Sequence, residues 1–242
     1  MAVIQEAYIS EEIHELKAEA NRKFAAKDYD GALSSYLDIL AKLPPREPTK
    51  SANDSEGEEA APEEIEATQS SETASEGDSE AEEPTSASKS EPETEEQEQI
   101  RLFRSVIYAN IAATHLRLDQ HRDAVKACNQ SLLDQPNYVK ALYRRAQANE
   151  HIGGWSGLSS AFEDNKTLLT LSDLPPATKP EVVAAIKRLE PKVQQAAEKE
   201  KDEMIQKLKG LGDSILGNFG LSTNNFKFTQ QPGGGYSMNF VR

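Results

Sequence analysis

Residues 13–46 read IHELKAEANRKFAAKDYDGALSSYLDILAKLPPR, and this stretch decides the fold. Its small and large apolar residues have the spacing of two helices that pack closely on each other, a unit that recurs about every 34 residues in helical repeat proteins. The residues that match this helix pair are Ala20, Asn21, Phe24, Tyr29, Ala32, Leu33, Tyr36 and Pro44. The stretch therefore predicts one helix pair of a repeat array.

Two further segments match the same pattern when the alanine at the twentieth position is aligned. The second, residues 105–138, has Tyr108, Ile111, Ala112, Ala124, Ser131 and Pro136 in the matching positions. The third begins near Val139 and keeps Leu142 and Ala146. This period is typical of tetratricopeptide repeats. We predict an all-α fold in which three tetratricopeptide helix pairs stack as a short solenoid.

The chain after Glu150 departs from the pattern. HIGGWSGLSS carries three glycines where a tight turn is usual, so we expect a loop lengthened by two or three residues, with the next helix resuming at Trp155 or at Ser159. After Leu174, residues 180–210 predict a long capping helix for the open end of the solenoid, with a kink or restart at Pro191. Alternating residues on either side of QQPGGG predict a small C-terminal β-hairpin-like tail.

An acidic segment separates the first two repeats. Residues 50–98 hold eighteen acidic residues against Lys50 and Lys89, a net charge of −16, whereas the whole chain carries −14. With Ile65 as its one apolar residue larger than alanine, the segment should stay disordered, either as a spacer or as a regulated region. The predicted organisation is a lead-in at 1–12, repeat 1 at 13–46, the insert at 47–98, an extended helix and repeat 2 at 99–138, repeat 3 at 139–174, the capping helix at 180–210 and the hairpin-like module at 211–242.

Five polar residues at matching positions of the three repeats are expected to face one groove: Lys17, Asn21, Asn110, Lys140 and Arg144. Cationic and amide donors aimed at one cavity suit a carboxylate-rich peptide, because hydrogen bonds to charged groups are the strong ones. Phe24, Ala113 and Ala141 are candidates for apolar support of such a peptide. Two alternatives stay open: ordinary surface polarity, and a local helix–helix hydrogen bond for Asn21.

Other classes of function find little support in the sequence. The four histidines lack metal-ligand spacing, no catalytic set stands out and no cofactor is expected. The folded part is nearly neutral, which argues against nucleic acid as a partner. The lone Cys128, the absence of a signal-like start and the absence of a long apolar run predict a cytoplasmic protein without membrane insertion.

ELKAEANRKF, IYANIAATHL and YVKALYRRA carry a family resemblance. They resemble the carboxylate-clamp tetratricopeptide co-chaperones, and the acidic insertion with the ending LGDSILGNFGLSTNNFKF…GGYSMNFV resembles the family of tetratricopeptide repeat protein 1. The resemblance implies that the five polar residues bind the C-terminal Glu-Glu-Val-Asp of seventy- and ninety-kilodalton heat-shock chaperones.

Two functions remain open at the level of sequence. In the first, the chain is an adaptor whose groove holds a chaperone tail while its C-terminal module binds a client protein. In the second, it is a scaffold for a non-chaperone partner, and the resemblance suggests a GTPase. In either case the exposed face of the hairpin is the candidate client surface, formed by Phe226, Phe228, Tyr236, Met238 and Phe240.

Overall fold

The computed structural model describes residues 9–46, 93–230 and 235–241, and it confirms the all-α solenoid with a small C-terminal hairpin. Most of the predicted acidic insert, with the expectation that it is disordered, lies outside these ranges. The elements in chain order are α1 (Glu11–Ala25), α2 (Tyr29–Lys42), α3 (Glu95–Arg117), α4 (His121–Asp134), α5 (Val139–Ile152), α6 (Gly154–Thr170), α7 (Lys179–Gly217), a 3-10 turn (Thr223–Asn225), β1 (Phe226–Gln230) and β2 (Tyr236–Phe240).

The first two helix pairs share one hydrophobic core across the insert. Ile39 of α2 and Ile107 of α3 are both fully buried in it, and Ala20 and Ala32 supply the small contacts between α1 and α2. Full burial of an isoleucine side chain contributes about 1.5–3 kcal/mol, enough for a few such residues to offset the closure entropy of a long connection. The insert therefore does not divide the solenoid.

Helix α3 begins at Glu95, four residues before the predicted start of the extended helix at residue 99. The Thr94 side chain accepts a hydrogen bond from the backbone N–H of Gln97, and the Gln97 side chain accepts one from the backbone N–H of Thr94. This reciprocal capping box satisfies donors that would otherwise lack partners at the helix start. Residues 95–98, counted with the insert in the sequence analysis, thus belong to α3.

A charged network pins both ends of the insert to the same place. Arg46 forms a fork with the carboxylate of Asp134, with both N···O distances 2.9 Å, and Asp134 is 1% exposed. Arg101 donates to the backbone carbonyl of Asp134 and also forks to Glu93 at 2.8 and 3.0 Å. Arg104 adds a second cation 3.5 Å from the Asp134 carboxylate. The chain therefore leaves and re-enters the solenoid beside the end of α4.

The turn inside the third pair is shorter than predicted. Gly153 alone separates α5 from α6, so the expectation of a lengthened loop is wrong, and α6 begins at Gly154. Gly153 and Gly154 have φ of 71° and 66°, values that glycine adopts without steric cost and that reverse the chain at once. Gly157 then lets the helices approach closely, since a Cβ there would lie 2.8 Å from the carbonyl oxygen of Asn149.

Helix α7 caps the solenoid with its first three turns only. Val182, Ala185 and Leu189 are buried against α5 and α6, whereas most of the chain after residue 198 is exposed. The helix continues without interruption past Pro191, where a restart was one expectation, and runs beyond the predicted end at residue 210 to Gly217. The second half of α7 therefore projects away from the repeats.

The C-terminal hairpin has the predicted alternation. Strands β1 and β2 are antiparallel, with Phe226 opposite Phe240 and Phe228 opposite Met238. Side chains two residues apart share a face of a strand, so Phe226, Met238 and Phe240 lie on one side of the hairpin. The base of the hairpin is tied to α7, because Asp213 accepts hydrogen bonds from Ser222 and Thr223 at 2.9 and 2.5 Å.

Candidate peptide-binding groove

The first helix of each pair contributes to one face of the solenoid. Lys17 and Asn21 lie one turn apart on α1, Lys140 and Arg144 lie one turn apart on α5, and Asn110 lies on the intervening α3. Residues four apart occupy the same side of a helix, so each pair of side chains points in a common direction. The contacts of each side chain decide whether the five of them could bind one ligand.

Lys17 is half-buried and lies over an aromatic ring. Its Nζ is 5.0 Å from the ring centroid of Phe103 on α3, within the range of a cation–π contact. Burial lowers the pKa of Lys17, and the positive charge of Lys140 lowers it further. The charge of Lys140 in the third repeat therefore reaches Lys17 in the first.

Asn21 makes a local helix–helix hydrogen bond, as the alternative expectation allowed. Its side-chain oxygen accepts from the Tyr36 hydroxyl at 2.6 Å. The bond fixes the orientation of the amide and leaves both of its N–H donors for other partners. Burial raises the pKa of Tyr36, and the charge of Arg144 partly opposes that rise. The electrostatic field of Arg144 thus extends to the first repeat.

Arg144 is anchored to α3 beside the second predicted amide, Asn110. Its Nη1 donates a 2.5 Å hydrogen bond to the carbonyl oxygen of Ala109, and burial lowers the pKa of the guanidinium. The next residue, Asn110, is half-buried, and its side chain has no hydrogen-bond partner among the described residues. This end of the groove thus offers a charged donor and a free amide side by side.

A cavity of about 480 Å³ is lined by Lys140 and Arg144, whereas Lys17, Asn21 and Asn110 are not among its lining residues. Its lining includes Phe24, Ala113, Leu116, Arg117, Lys140 and Arg144. Two of the predicted polar residues and two of the predicted apolar supports thus line one cavity. It combines apolar walls with positive charge, which suits a peptide that carries both carboxylates and an apolar side chain.

Ala141 does not belong to the groove. It is 0% exposed and packs in the core with Leu142, Leu168 and Val182. Successive helix residues are rotated by about 100°, so Ala141 points away from the cavity that Lys140 faces. The prediction that Ala141 supports the peptide is wrong, and Tyr143 and Gln147 line the cavity in its place.

Several residues of the site could not be found from the sequence. Phe103 lies under Lys17 although 86 positions separate them, and no local pattern signals that contact. His121 and His151 stack with ring centroids 4.4 Å apart at the edge of the cavity. Nδ1 of His121 is buried there without a hydrogen-bond partner in the part of the chain that the structure describes. These residues join the site through the stacking of helices.

The described residues were also compared with the requirements of a metal site, a membrane span and a reactive thiol. They contain no group of three metal-ligating side chains and no helix long and apolar enough to cross a membrane. Cys128 is buried, and burial raises its pKa to about 12. A thiol in that state is a poor nucleophile, because the thiolate is the reactive form.

The candidate client surface is partly exposed. Met238 and Phe240 are 60% and 51% exposed, and the rings of Phe226 and Phe240 pack edge to face with centroids 5.5 Å apart. The side chains of Phe228 and Tyr236 lie outside the described part of the structure. On the adjoining helix, Leu208, Leu211 and Ile215 are exposed as well, and so is Phe219 just after its end.

Comparisons with known proteins find short similarities in sequence and broad similarities in fold. No protein-family model matches the chain. A stretch of 74 residues is 35% identical to FK506-binding protein 59 of Drosophila melanogaster and covers 31% of this chain and 16% of that protein. A stretch of 69 residues is 39% identical to the human mitochondrial import receptor subunit TOM34 and covers 28% of this chain and 21% of that protein. The chain thus spans about a fifth or less of these relatives.

Among solved structures, the Sgt2 tetratricopeptide domain from Aspergillus fumigatus has a TM-score of 0.46 at 15% identity, covering 78% of this chain and 83% of that one. The first tetratricopeptide domain of Spaghetti (RPAP3), bound to the HSP90 peptide SRMEEVD, has a TM-score of 0.44 at 17% identity, covering 73% and 94%. This chain is an all-α solenoid of stacked helix pairs, and parts of its sequence are similar to parts of FK506-binding and import-receptor proteins.

Proposed function

We propose that this chain is a non-enzymatic adaptor of the co-chaperone type. Its groove would bind the C-terminal Glu-Glu-Val-Asp of seventy- and ninety-kilodalton heat-shock chaperones. Lys17, Lys140 and Arg144 would hold the carboxylates, and Asn21 and Asn110 would donate to the peptide from their amide groups.

The unpaired positive charge at the cavity is the observation that supports this proposal. Arg117, Lys140 and Arg144 line the cavity and outnumber Asp119. Burial, and to a smaller extent the charge of Lys140, lowers the pKa of Lys17, and no carboxylate among the described residues forms an ion pair with either lysine. A bound dicarboxylate would supply the missing counter-charge through charge-assisted hydrogen bonds.

The proposed clamp would select for a chain terminus. A terminal residue with an acidic side chain presents two carboxylates, whereas an internal residue presents one. Donors from α1, α3 and α5 would satisfy both carboxylates at once. We expect the free terminal carboxylate to be worth at least one charged hydrogen bond, about 1.5–3 kcal/mol.

Calorimetric titration with Glu-Glu-Val-Asp and with the same peptide amidated at its terminus tests the proposal. Amidation should weaken binding by about one to two orders of magnitude, which is the same free energy expressed as a ratio. Equal affinity of the two peptides, or no binding of either, would exclude the carboxylate clamp.

The C-terminal module is proposed as a second recognition site. Its exposed apolar residues on the hairpin and on the end of α7 form the surface that would bind a client protein. The acidic insert and the C-terminal sequence support a closer relationship to tetratricopeptide repeat protein 1. That relationship would make a GTPase the client of the C-terminal module. A scaffold that binds such a partner without a chaperone remains the second candidate function. A reducing, cytoplasmic setting suits a protein of this kind with a single buried thiol.

A further inference from the structure

The groove continues beyond the third repeat onto the capping helix. A second cavity, of about 230 Å³, lies between α5 and α7. It shares Tyr143, Gln147 and His151 with the first cavity and adds Glu181 and Arg188 from α7. The two cavities therefore form neighbouring parts of one surface.

Helix α7 faces this surface with a regular stripe. Glu181, Ala184 and Arg188 are separated by three and four residues, which places them on one side of the helix. Ala184 leaves room between the two larger side chains. Helix α7 thus presents a face to the groove in the way that α1, α3 and α5 do.

Polar contacts hold this wall in place. Arg188 forms a fork with Glu150 of α5, with N···O distances of 2.8 and 2.7 Å. Burial, with the Glu181 carboxylate nearby, raises the pKa of Tyr143 to about 12. The fork between Arg188 and Glu150 therefore supports the orientation of α7 relative to the groove, in addition to the apolar core beneath it.

The charge of the surface reverses between the two cavities. Around the first, Arg117, Lys140 and Arg144 outnumber Asp119. In the second, Glu150 and Glu181 face Arg188 alone. Glu150 already takes Arg188 and Lys192, whereas the exposed Glu181 has no cation within 4.0 Å among the described residues. A peptide that follows the groove would pass from a positive to a negative wall.

We propose that the start of α7 is a fourth wall of the peptide groove, and that Glu181 selects peptides with a basic side chain upstream of the acidic C-terminus. This inference rests on the proposed function of the groove and specifies its ligand. The acidic terminus binds at the cations of α1 and α5, and the upstream residue reaches the carboxylate of Glu181. An upstream acidic residue meets repulsion at the same place.

The expected size of the effect follows from the exposure of Glu181. Ion pairs at exposed positions are worth about 0.2–1 kcal/mol, which corresponds to a change in affinity of up to about fivefold. The selection is therefore a preference imposed on a ligand that the clamp already holds. It should weaken with added salt, because the pair is open to solvent.

Titration of the full chain with four peptides tests the inference: Glu-Glu-Val-Asp, Ser-Arg-Met-Glu-Glu-Val-Asp, and the two variants of the longer peptide with Ala or Glu in place of Arg. We expect the Arg peptide to bind about threefold tighter than the Ala peptide, and the Glu peptide to bind about threefold weaker. Glu181→Gln should remove most of both differences while leaving the affinity for Glu-Glu-Val-Asp unchanged. Glu190→Gln makes the same change on the same helix outside the cavity and should preserve the preference.

The outcomes distinguish an error in the proposed role of Glu181 from an error in the proposed function of the groove. If Glu-Glu-Val-Asp binds and the three longer peptides bind equally well, or if Glu181→Gln and Glu190→Gln behave alike, the fourth wall is wrong and the clamp stands. If Glu-Glu-Val-Asp does not bind at all, the proposed function is wrong and this inference is wrong with it.

Discussion

The Tyr36 hydroxyl donates a 2.6 Å hydrogen bond to the side-chain oxygen of Asn21. Tyr36 is 2% exposed, so the core of the first repeat holds this donor in a fixed position. This hydrogen bond fixes the side-chain oxygen of the exposed Asn21 and leaves both amide N–H groups available to a ligand. A preset donor costs less entropy on binding than one that must be ordered by the ligand.

Tyr36→Phe should weaken peptide binding without unfolding the first repeat. Loss of the hydroxyl frees the Asn21 amide to rotate, and the lost hydrogen bond is worth about 0.5–1.5 kcal/mol. We expect a three- to tenfold loss of affinity for Glu-Glu-Val-Asp by calorimetry. Tyr29→Phe is the matched control, because the Tyr29 hydroxyl makes no hydrogen bond within the described residues. If the two variants bind alike, the orientation of Asn21 does not matter for the ligand.

Lys140→Ala should reduce peptide affinity by about 1.5–3 kcal/mol and leave the melting temperature nearly unchanged. Lys140 is exposed and holds no other side chain, so its removal deletes a ligand contact alone. Arg144→Ala should reduce affinity as much and also lower stability, because Arg144 bonds to the Ala109 carbonyl. Lys126→Ala removes an exposed lysine of α4 and should change neither quantity. Undiminished affinity in the Lys140, Arg144 double variant would end the clamp hypothesis.

Peptide affinity should fall at alkaline pH earlier than an ordinary lysine would predict. Burial and the nearby Lys140 hold the pKa of Lys17 below its usual value in the free protein, and a bound carboxylate would raise it. Binding therefore takes up protons. The affinity is complete below the pKa of the free form and is lost as the pH rises through the pKa of the bound form. Titration in buffers of different ionisation enthalpy would measure that uptake.

Lys17→Arg offers the control for this pH dependence. A guanidinium remains charged throughout the accessible range, so the alkaline loss of affinity should become smaller in the variant. An unchanged pH profile would assign the titration to another group.

Removal of residues 50–92 should strengthen peptide binding at low salt and leave the repeats folded. These residues carry fourteen acidic side chains and two lysines, and their charge competes with an anionic ligand for the groove. Replacement of the segment by a Gly/Ser chain of equal length separates charge from length. At 1 M salt the Debye length is about 3 Å, so all three proteins should bind alike. Loss of the helical circular dichroism signal on deletion would show that the segment is structural.

Truncation after Lys209 should lower the melting temperature little and remove a distinct set of bound partners. The buried residues of α7 end at Leu189, so the deleted part contributes little to the core. Capture of partners from a cell extract, with and without the tail, measures its second role. A sharp fall in melting temperature with unchanged partners would identify the module as a structural cap.

The repeat pattern predicted most of the fold because its information is local. Ala20, Ala32 and Ala124 mark the close contacts between helices, and each is fully buried. The positions of Lys17 and Asn21 follow from the same alignment. The prediction for Ala141 was wrong because its side chain points into the core and not towards the groove.

Long-range contacts could not be predicted in this way. The turn at Gly153 was expected to be longer because three glycines suggest a loop, whereas one of them serves helix packing at Gly157. Nothing in the sequence marks Glu181 as a residue that lines a cavity. Its position there depends on how α7 lies against α5, which no spacing in the sequence records.

The ion pair between Arg46 and Asp134 would help to hold the protein together if the chain were cut within the insert. The core between the first two repeats and this ion pair join the parts before and after the insert, and neither needs the intervening peptide bonds. A single proteolytic cut between residues 47 and 92 would leave two fragments that stay associated as one body. The molecule is in this sense a natural split protein, whose halves could be made separately and would reassemble through the repeat interface.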